Sequence, residues 1–355
     1  MTIDRCHIEN FTVFEDQHIE FCKGVNIVIG ANGTGKSHLL KLLYAMTQWM
    51  TGEKHSTEIE REQWKPHSLI NGLFKPEGGD IGLLLRKRTG NHISEISVEF
   101  GSQHNSLAIR PDSRGQTYDS SIIAHLPNAK GLFVPPNEVL AIYPGFVASY
   151  EKRELAFDQT YYDICKALAA APLKTNAILS RLKNNLEGIL QGSVIQKGDR
   201  FYVQSEKSAR TLEAHLLAEG HRKIAALIHL INNGSISKDT ILFWDEPEAN
   251  LNPRLIKHVA NLLRDLAKIG VQVFISTHDY LLTGELSLAA EYRTQPRVPI
   301  RFFAMSRNED GPVDVQSGET LADLTDNPIL DEFAEHYQRE QDAVASYMKE
   351  RGHAE

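Results

Sequence analysis

Two stretches of the chain carry residue types whose spacing can do chemistry. GANGTGKS, Gly30 to Ser37, has the spacing G-x-x-x-x-G-K-[ST], in which a glycine-rich loop turns main-chain N–H groups toward phosphate oxygens. Gly30, Ala31, Asn32, Gly33, Thr34 and Gly35 are expected to line a phosphate cradle, Lys36 to bridge the β- and γ-phosphates, and the Ser37 hydroxyl to ligate Mg2+. ILFWDEPEANLNP, Ile241 to Pro253, runs four apolar residues straight into Asp245, Glu246 and Glu248. Ionised carboxylates at the end of a buried strand are costly unless a cation or a reaction uses them. Beside a phosphate loop they have a use: Asp245 is placed to hold Mg2+, and Glu246, one residue beyond, to take a proton from attacking water as the general base. Glu248 divides evenly between a loop-ordering role and a solvent-facing one.

Elements must position these residues. GVNIVIG (24–30) reads as a buried strand entering the loop, and KSHLLKLLYAMTQWM as a helix leaving it, with Leu39, Leu42, Leu43 and Met46 at helical spacing. Residues 53–80, with Pro66, Gly72, Pro76, Gly78 and Gly79, read as a surface excursion. IGLLLRKR, HISEISVEF and SLAIRP read as an antiparallel meander, and KGLFV as a buried strand stopped by Pro135 and Pro136. Tyr150 to Leu190 is helical, SVIQKGDRFYVQ a hairpin, and the remainder alternates helix and strand before a charged helical tail from Leu321 to Gly352. The expected class is α/β: a P-loop NTPase head with a mixed central sheet, an antiparallel β subdomain and a helical lid. The expected division is 1–150 for an N-terminal ATPase lobe, 151–192 for a helical subdomain, 193–318 for a C-terminal ATPase lobe and 319–355 for the tail.

Composition sets bounds. With 41% hydrophobic and 24% charged residues over 355 positions, the chain has the make-up of a soluble globular protein with one large core and an added subdomain. No apolar run approaches a membrane span and the N-terminus has no secretory signal, so a cytoplasmic protein with no membrane contact is expected. Cys6, Cys22 and Cys165 show no metal or dithiol spacing. The formal net charge of −8 repels phosphate, so any nucleic-acid contact requires a local basic patch. Arg86 to Arg88 and Arg181 to Lys183 are the candidate runs, each read first as a solvated face.

These motifs resemble the ABC-type ATPases, and among them the SMC- and RecF-like branch. DEPEANLNP is similar to that branch's extended Walker B and D-loop, with Glu246 as catalytic glutamate and Asn250 in the D-loop. ISTHD (275–279) resembles its switch region, which makes His278 the γ-phosphate sensor. LAEGHRK (217–223) resembles the signature L-S-G-G-Q-R-K, with Ala218 where the family has serine and Glu219 where it has glycine. Gly220 and the following helix N-terminus still offer N–H groups to an opposite nucleotide. The family's Q-loop glutamine has no counterpart in PPNEVL; Asn137 or Glu138 stands nearest, and Glu138 joins Ser37 and Asp245 as a metal-side candidate.

The resemblance implies ATP and Mg2+ as cofactors, ATP hydrolysis, and a head-to-tail homodimer. PPNEVL, FDQTYYD, LAEGHRK and FWDEPEANLNP together resemble compact ATPases of prokaryotic antiphage defence, including the overcoming-lysogenisation-defect type. That resemblance implies a separate effector, a nuclease or toxin, gated by the ATPase cycle. The alternatives are a RecF-like repair or recombination ATPase clamping nucleic acid, a transporter ATPase subunit, and a nucleotide-dependent scaffold without appreciable turnover.

Overall fold

The computed structural model of the chain describes residues 2–51, 65–87, 93–110, 117–122, 129–152, 155–173, 177–205, 210–307 and 311–352. Strands β1 (Arg5–Phe11), β2 (Phe14–Glu20) and β3 (Val25–Gly30) lead into helix α1 (Lys36–Thr51). Helix α2 (Pro66–Phe74), strands β4 (Ser94–Phe100), β5 (Gln103–Arg110), β6 (Thr117–Ile122) and β7 (Lys130–Val134), and helices α3 (Phe146–Lys152), α4 (Gln159–Leu168) and α5 (Ala177–Leu190) follow. Then come β8 (Gly192–Lys197), β9 (Arg200–Ser205), β10 (Thr211–Glu213), α6 (Glu219–Asn232), β11 (Thr240–Asp245), α7 (Pro253–Lys268), β12 (Gln272–Thr277), α8 (Tyr280–Glu291), β13 (Ile300–Arg307), β14 (Val313–Gly318) and α9 (Pro328–Gly352).

The central sheet has the order β14-β13-β3-β12-β11-β7. Its strands run parallel except β14, which pairs antiparallel to β13. Strands buried on both faces should be apolar throughout, with neighbours pointing to opposite sides. Here Val25, Ile27, Ile29, Leu242, Trp244, Val273, Ile275, Phe302 and Ala304 face one core with α4, α6, α7 and α8. Val28, Ile241, Phe243, Phe274, Phe303 and Met305 face a second core.

That second core holds α1. Leu39, Leu40, Leu42, Leu43, Tyr44, Ala45, Met46, Trp49 and Met50 are buried over most of the helix surface, leaving Ser37, Lys41 and Gln48 on a half-buried face, as expected of a helix covered on more than one side. Its other cover is an antiparallel sheet, order β2-β1-β4-β5-β6, which supplies Cys6, Ile8, Ile19, Ile96 and Val98. A third sheet, β10-β9-β8, includes the hairpin read from SVIQKGDRFYVQ, turning at Gly198 with φ +62°. Such a turn suits glycine, which has no Cβ to clash.

Two expectations are corrected. IGLLLRKR is not a strand: Ile81–Leu84 is a 3-10 turn, because Asp80 caps it by accepting from the Gly82 N–H at 2.8 Å, and only Leu85 bridges to Phe11. Residues 66–80 are not merely a surface excursion either. Pro66 starts α2, whose Leu69, Ile70 and Leu73 are buried beside α1; a proline at the first helical position loses no hydrogen bond. Arg88 and residues 53–64 lie outside the described residues. Cys6 and Cys165 are buried and all three cysteines are free.

Candidate functional site

The site sits where β3, β11 and β12 end. Gly30 closes β3 at φ +156°, and a Cβ there would meet the Met305 carbonyl oxygen at 2.5 Å, so the strand can turn only with glycine. Gly33, at φ +82°, has open space around it, whereas a Cβ at Gly35 (φ +96°) would strike Val13 Cγ2 at 2.5 Å. The turn between β1 and β2 therefore rests on the phosphate loop. The Thr34 hydroxyl donates to the Ala31 carbonyl at 2.9 Å.

Lys36 is buried and donates to the Gly30 and Ala31 carbonyls at 2.8 and 2.9 Å. Burial lowers its pKa, and the carboxylates of Glu246, Asp245 and Glu248 pull it back up. Ser37 donates to Asp245 Oδ1 at 3.0 Å, and Ser276 donates to the same oxygen. Asp245 is 5% exposed.

Glu246 leaves the strand in the left-handed region, at φ +48°, with its N–H donating to the Ser276 carbonyl at 3.0 Å. This backbone throws its side chain toward His278, whose Nδ1 lies 3.5 Å from Glu246 Oε1 and 3.9 Å from Glu248 Oε1. Glu248 is buried and accepts from the Thr277 hydroxyl at 2.7 Å and the His278 N–H at 3.3 Å; burial raises its pKa. Its role is thus loop-ordering: it ties the segment after β11 to the end of β12.

Ala218 is the exposed N-cap of α6 and makes no side-chain cap. Glu219 accepts from Asn250 Nδ2 at 2.7 Å, and Lys223 donates to the Ala249 carbonyl at 2.7 Å. Gly220 packs on the same segment: a Cβ would meet Leu251 Cδ2 at 2.7 Å. Glu138 is drawn to α6 as well, pairing with Arg222 Nε at 2.7 Å and accepting from the Ala141 N–H at 3.2 Å. Asn137 donates to the Tyr161 hydroxyl at 3.1 Å.

The structure thus groups the sequence-read residues in two sets. Gly30 to Ser37, Asp245, Glu246, Glu248 and His278 converge at the strand ends, while Ala218 to Gly220, Asn250 and Glu138 gather around the start of α6. Ser276, Thr277, Arg222 and Lys223 were not singled out. The signal for the first two was the pair of hydroxyls directly before His278 in FISTHD.

These residues fit a nucleotide and a hard cation. A buried amine, an open loop glycine and a helix N-terminus are donors suited to phosphate, and Ser37 with Asp245 is an all-oxygen pair suited to Mg2+. When bound, the ion would neutralise phosphate charge.

Comparison with known proteins agrees with this geometry. Residues 1–133 match the family profile described as "AAA ATPase domain", and residues 150–284 one described as "AAA domain, putative AbiEii toxin, Type IV TA system". The chain is 26% identical over 186 residues to the DNA replication and repair protein RecF of Mannheimia succiniciproducens, covering 47% of this chain and 49% of that one. It is 22% identical over 251 residues to RecF of Bacillus velezensis, covering 67% and 64%. The match thus spans about half the length of the first of these relatives and under two thirds of the second. Among solved structures, an Smc head bound to the C-terminal winged-helix domain of ScpA superposes with TM-score 0.52 at 13% identity, covering 90% of this chain and 98% of that one. An Smc head with an extended coiled coil bound to the ScpA C-terminal domain, derived from Pyrococcus furiosus, gives 0.51 at 13%, covering 89% and 96%. Two adjoining matches to AAA-type ATPase families, RecF relatives in sequence and the fold of an Smc head make this chain similar to the SMC/RecF-like ABC ATPases.

Proposed function

We propose that the chain binds ATP with Mg2+, hydrolyses it with Glu246 as general base and His278 as γ-phosphate sensor, and closes head-to-tail with a second copy when ATP is bound. The observation that carries this reading is the convergence of Lys36, Ser37, Asp245, Glu246 and His278 at the ends of three adjacent strands. Lys36 and Ser37 serve the phosphates and metal, Asp245 the metal, and Ala218, Glu219 and Gly220 of one copy, with Asn250, face the nucleotide of the other. Glu138 is proposed to report the state of α6 to the metal side through Arg222 rather than to ligate the ion itself.

Closure is proposed to gate an effector, a nuclease or toxin, in an antiphage system. Support comes from α9, a long helix whose Phe333, Tyr337, Val344, Tyr347 and Met348 are exposed. An effector that prefers one of the two states is switched by nucleotide. The second reading, a RecF-like ATPase acting on nucleic acid, is favoured by the names of the sequence relatives. Among the described residues no helix is long and apolar enough to cross a membrane.

Light scattering of Glu246→Gln with and without ATP tests the closure. An ATP-dependent doubling of mass is expected; a monomer at every nucleotide concentration refutes it.

A further inference from the structure

We propose that His7, Asp16 and His18, on the β1–β2 hairpin, bind a transition-metal dication of the Zn2+ class. The three lie on the face of the antiparallel sheet opposite buried Cys6, Ile8 and Ile19. Antiparallel register puts His7 directly across from His18, and Glu9 across from Asp16, so the donors sit within one diagonal step of each other.

Their atoms converge. His7 Nε2 is 2.8 Å from Asp16 Oδ1, and His18 Nε2 is 3.7 Å from the same oxygen. The imidazole rings stack with centroids 3.9 Å apart and planes within 1°. One ligand atom from each residue lies within 4.8 Å of the others. Donors bonded to tetrahedral Zn2+ at about 2.0–2.1 Å are spaced roughly 3.3–3.5 Å apart, so small side-chain rotations bring this set to ligation distance. A simple His7–Asp16 hydrogen bond accounts for the shorter contact, but not for His18 turned onto the same oxygen.

The donor set decides the class of ion. Two imidazoles and one carboxylate favour Zn2+ and its neighbours over Mg2+ or Ca2+, which prefer oxygen alone. The surrounding face is acidic. Glu9, Glu95 and Glu99 share it, and Arg5 there is paired with Glu20 at 3.1 Å. Three protein ligands leave a position for water or a further donor. The hairpin is also the one whose Val13 rests on Gly35, so a metal clamp would stiffen a wall of the phosphate loop.

The test uses the full chain, treated with chelator and free of nucleotide. Zn2+ is titrated in competition with a chromophoric chelator, and Co2+ by its visible absorption. Wild type is expected to bind one equivalent more than His7→Ala/His18→Ala, with Co2+ bands that the variant lacks, and Asp16→Asn to bind at least about tenfold more weakly. Equal stoichiometry and affinity in wild type and double variant would overturn the assignment. Thermal unfolding checks the fold; if the double variant is unfolded, His18→Ala, whose side chain is 74% exposed, decides by the same two readouts.

Discussion

The Ser37 hydroxyl donates to Asp245 Oδ1 at 3.0 Å, which joins the first turn of the loop helix to the last residue of a strand 208 positions away. Both groups are oxygen donors suited to a Mg2+ ion, and the fold brings them into contact without one.

Lys36→Ala removes a buried ammonium that sits at the mouth of the loop. Hydrogen bonds from a charged donor contribute about 1.5–3 kcal/mol, so ATP affinity should fall by roughly 10- to 150-fold. Calorimetric titration with ATP and Mg2+ measures it, and unchanged affinity would remove Lys36 from the site.

Glu246→Gln keeps size and hydrogen-bonding reach but cannot take a proton at neutral pH. General-base catalysis contributes about 10²–10⁴-fold, and phosphate release should drop by that order while ATP affinity stays within about threefold, since only the proton acceptor changes. A variant that turns over at the native rate shows that another group accepts the proton.

A composite site predicts complementation between two inactive chains. Lys36→Ala disables the loop, and Ala218→Asp sets a negative charge at the exposed start of α6, where it would repel a partner's phosphates. In the mixed dimer one site carries both defects and the other carries neither. Mixing should therefore restore ATPase activity above that of either variant alone, and additive activities would refute sharing. Gly220 is unsuitable as the probe, because a side chain there strikes Leu251 of its own chain.

Stability should depend on pH through Asp163, on α4, which accepts a hydrogen bond from the Tyr44 hydroxyl of α1 at 2.9 Å. Burial raises its pKa from 3.8 to about 6. A carboxyl raised in the folded state favours folding below its unfolded pKa, and that contribution is lost as pH rises through the folded value. Asp163→Asn does not titrate, so its stability relative to the native chain should rise between about pH 4 and pH 6 and level off above, by on the order of 1–2 kcal/mol after solvent screening. Denaturation midpoints of the two proteins at pH 4 and pH 7 give the difference; a gap that does not widen with pH would show that Asp163 ionises freely.

The legible parts of this protein were those in which a few consecutive residues determine the outcome. GANGTGKS and DEPE were legible in position because loop geometry and strand-end position are local, and both are found at the same end of the central sheet. IGLLLRKR misled because its apolar residues look like a strand, while the deciding hydrogen bond belongs to Asp80, outside the run. Ser276 could be connected to Asp245 only through the register that sets the two residues side by side on β11 and β12. Gly220 illustrates a second limit: a glycine in a signature-like string also serves its own chain, where close packing against Leu251 admits no side chain. Glu138 follows the same logic, since an arginine 84 positions away, unseen along the chain, takes up its charge.

The order of the central sheet also governs how the molecule can be made. β3 is hydrogen-bonded on one side to β12 and on the other to β13, so Ile27 waits for Ile275 and Phe302 before either edge is closed. At a ribosomal rate of about 5–20 residues per second, the intervening stretch of about 250 residues takes roughly 12–50 s to emerge. Through that interval α1, most of whose surface is buried in the finished fold, has α2 and β7 beside it but lacks β12, and it is a natural client for a holding chaperone. The phosphate loop leaves the ribosome long before β11 and β12, whose ends complete its site.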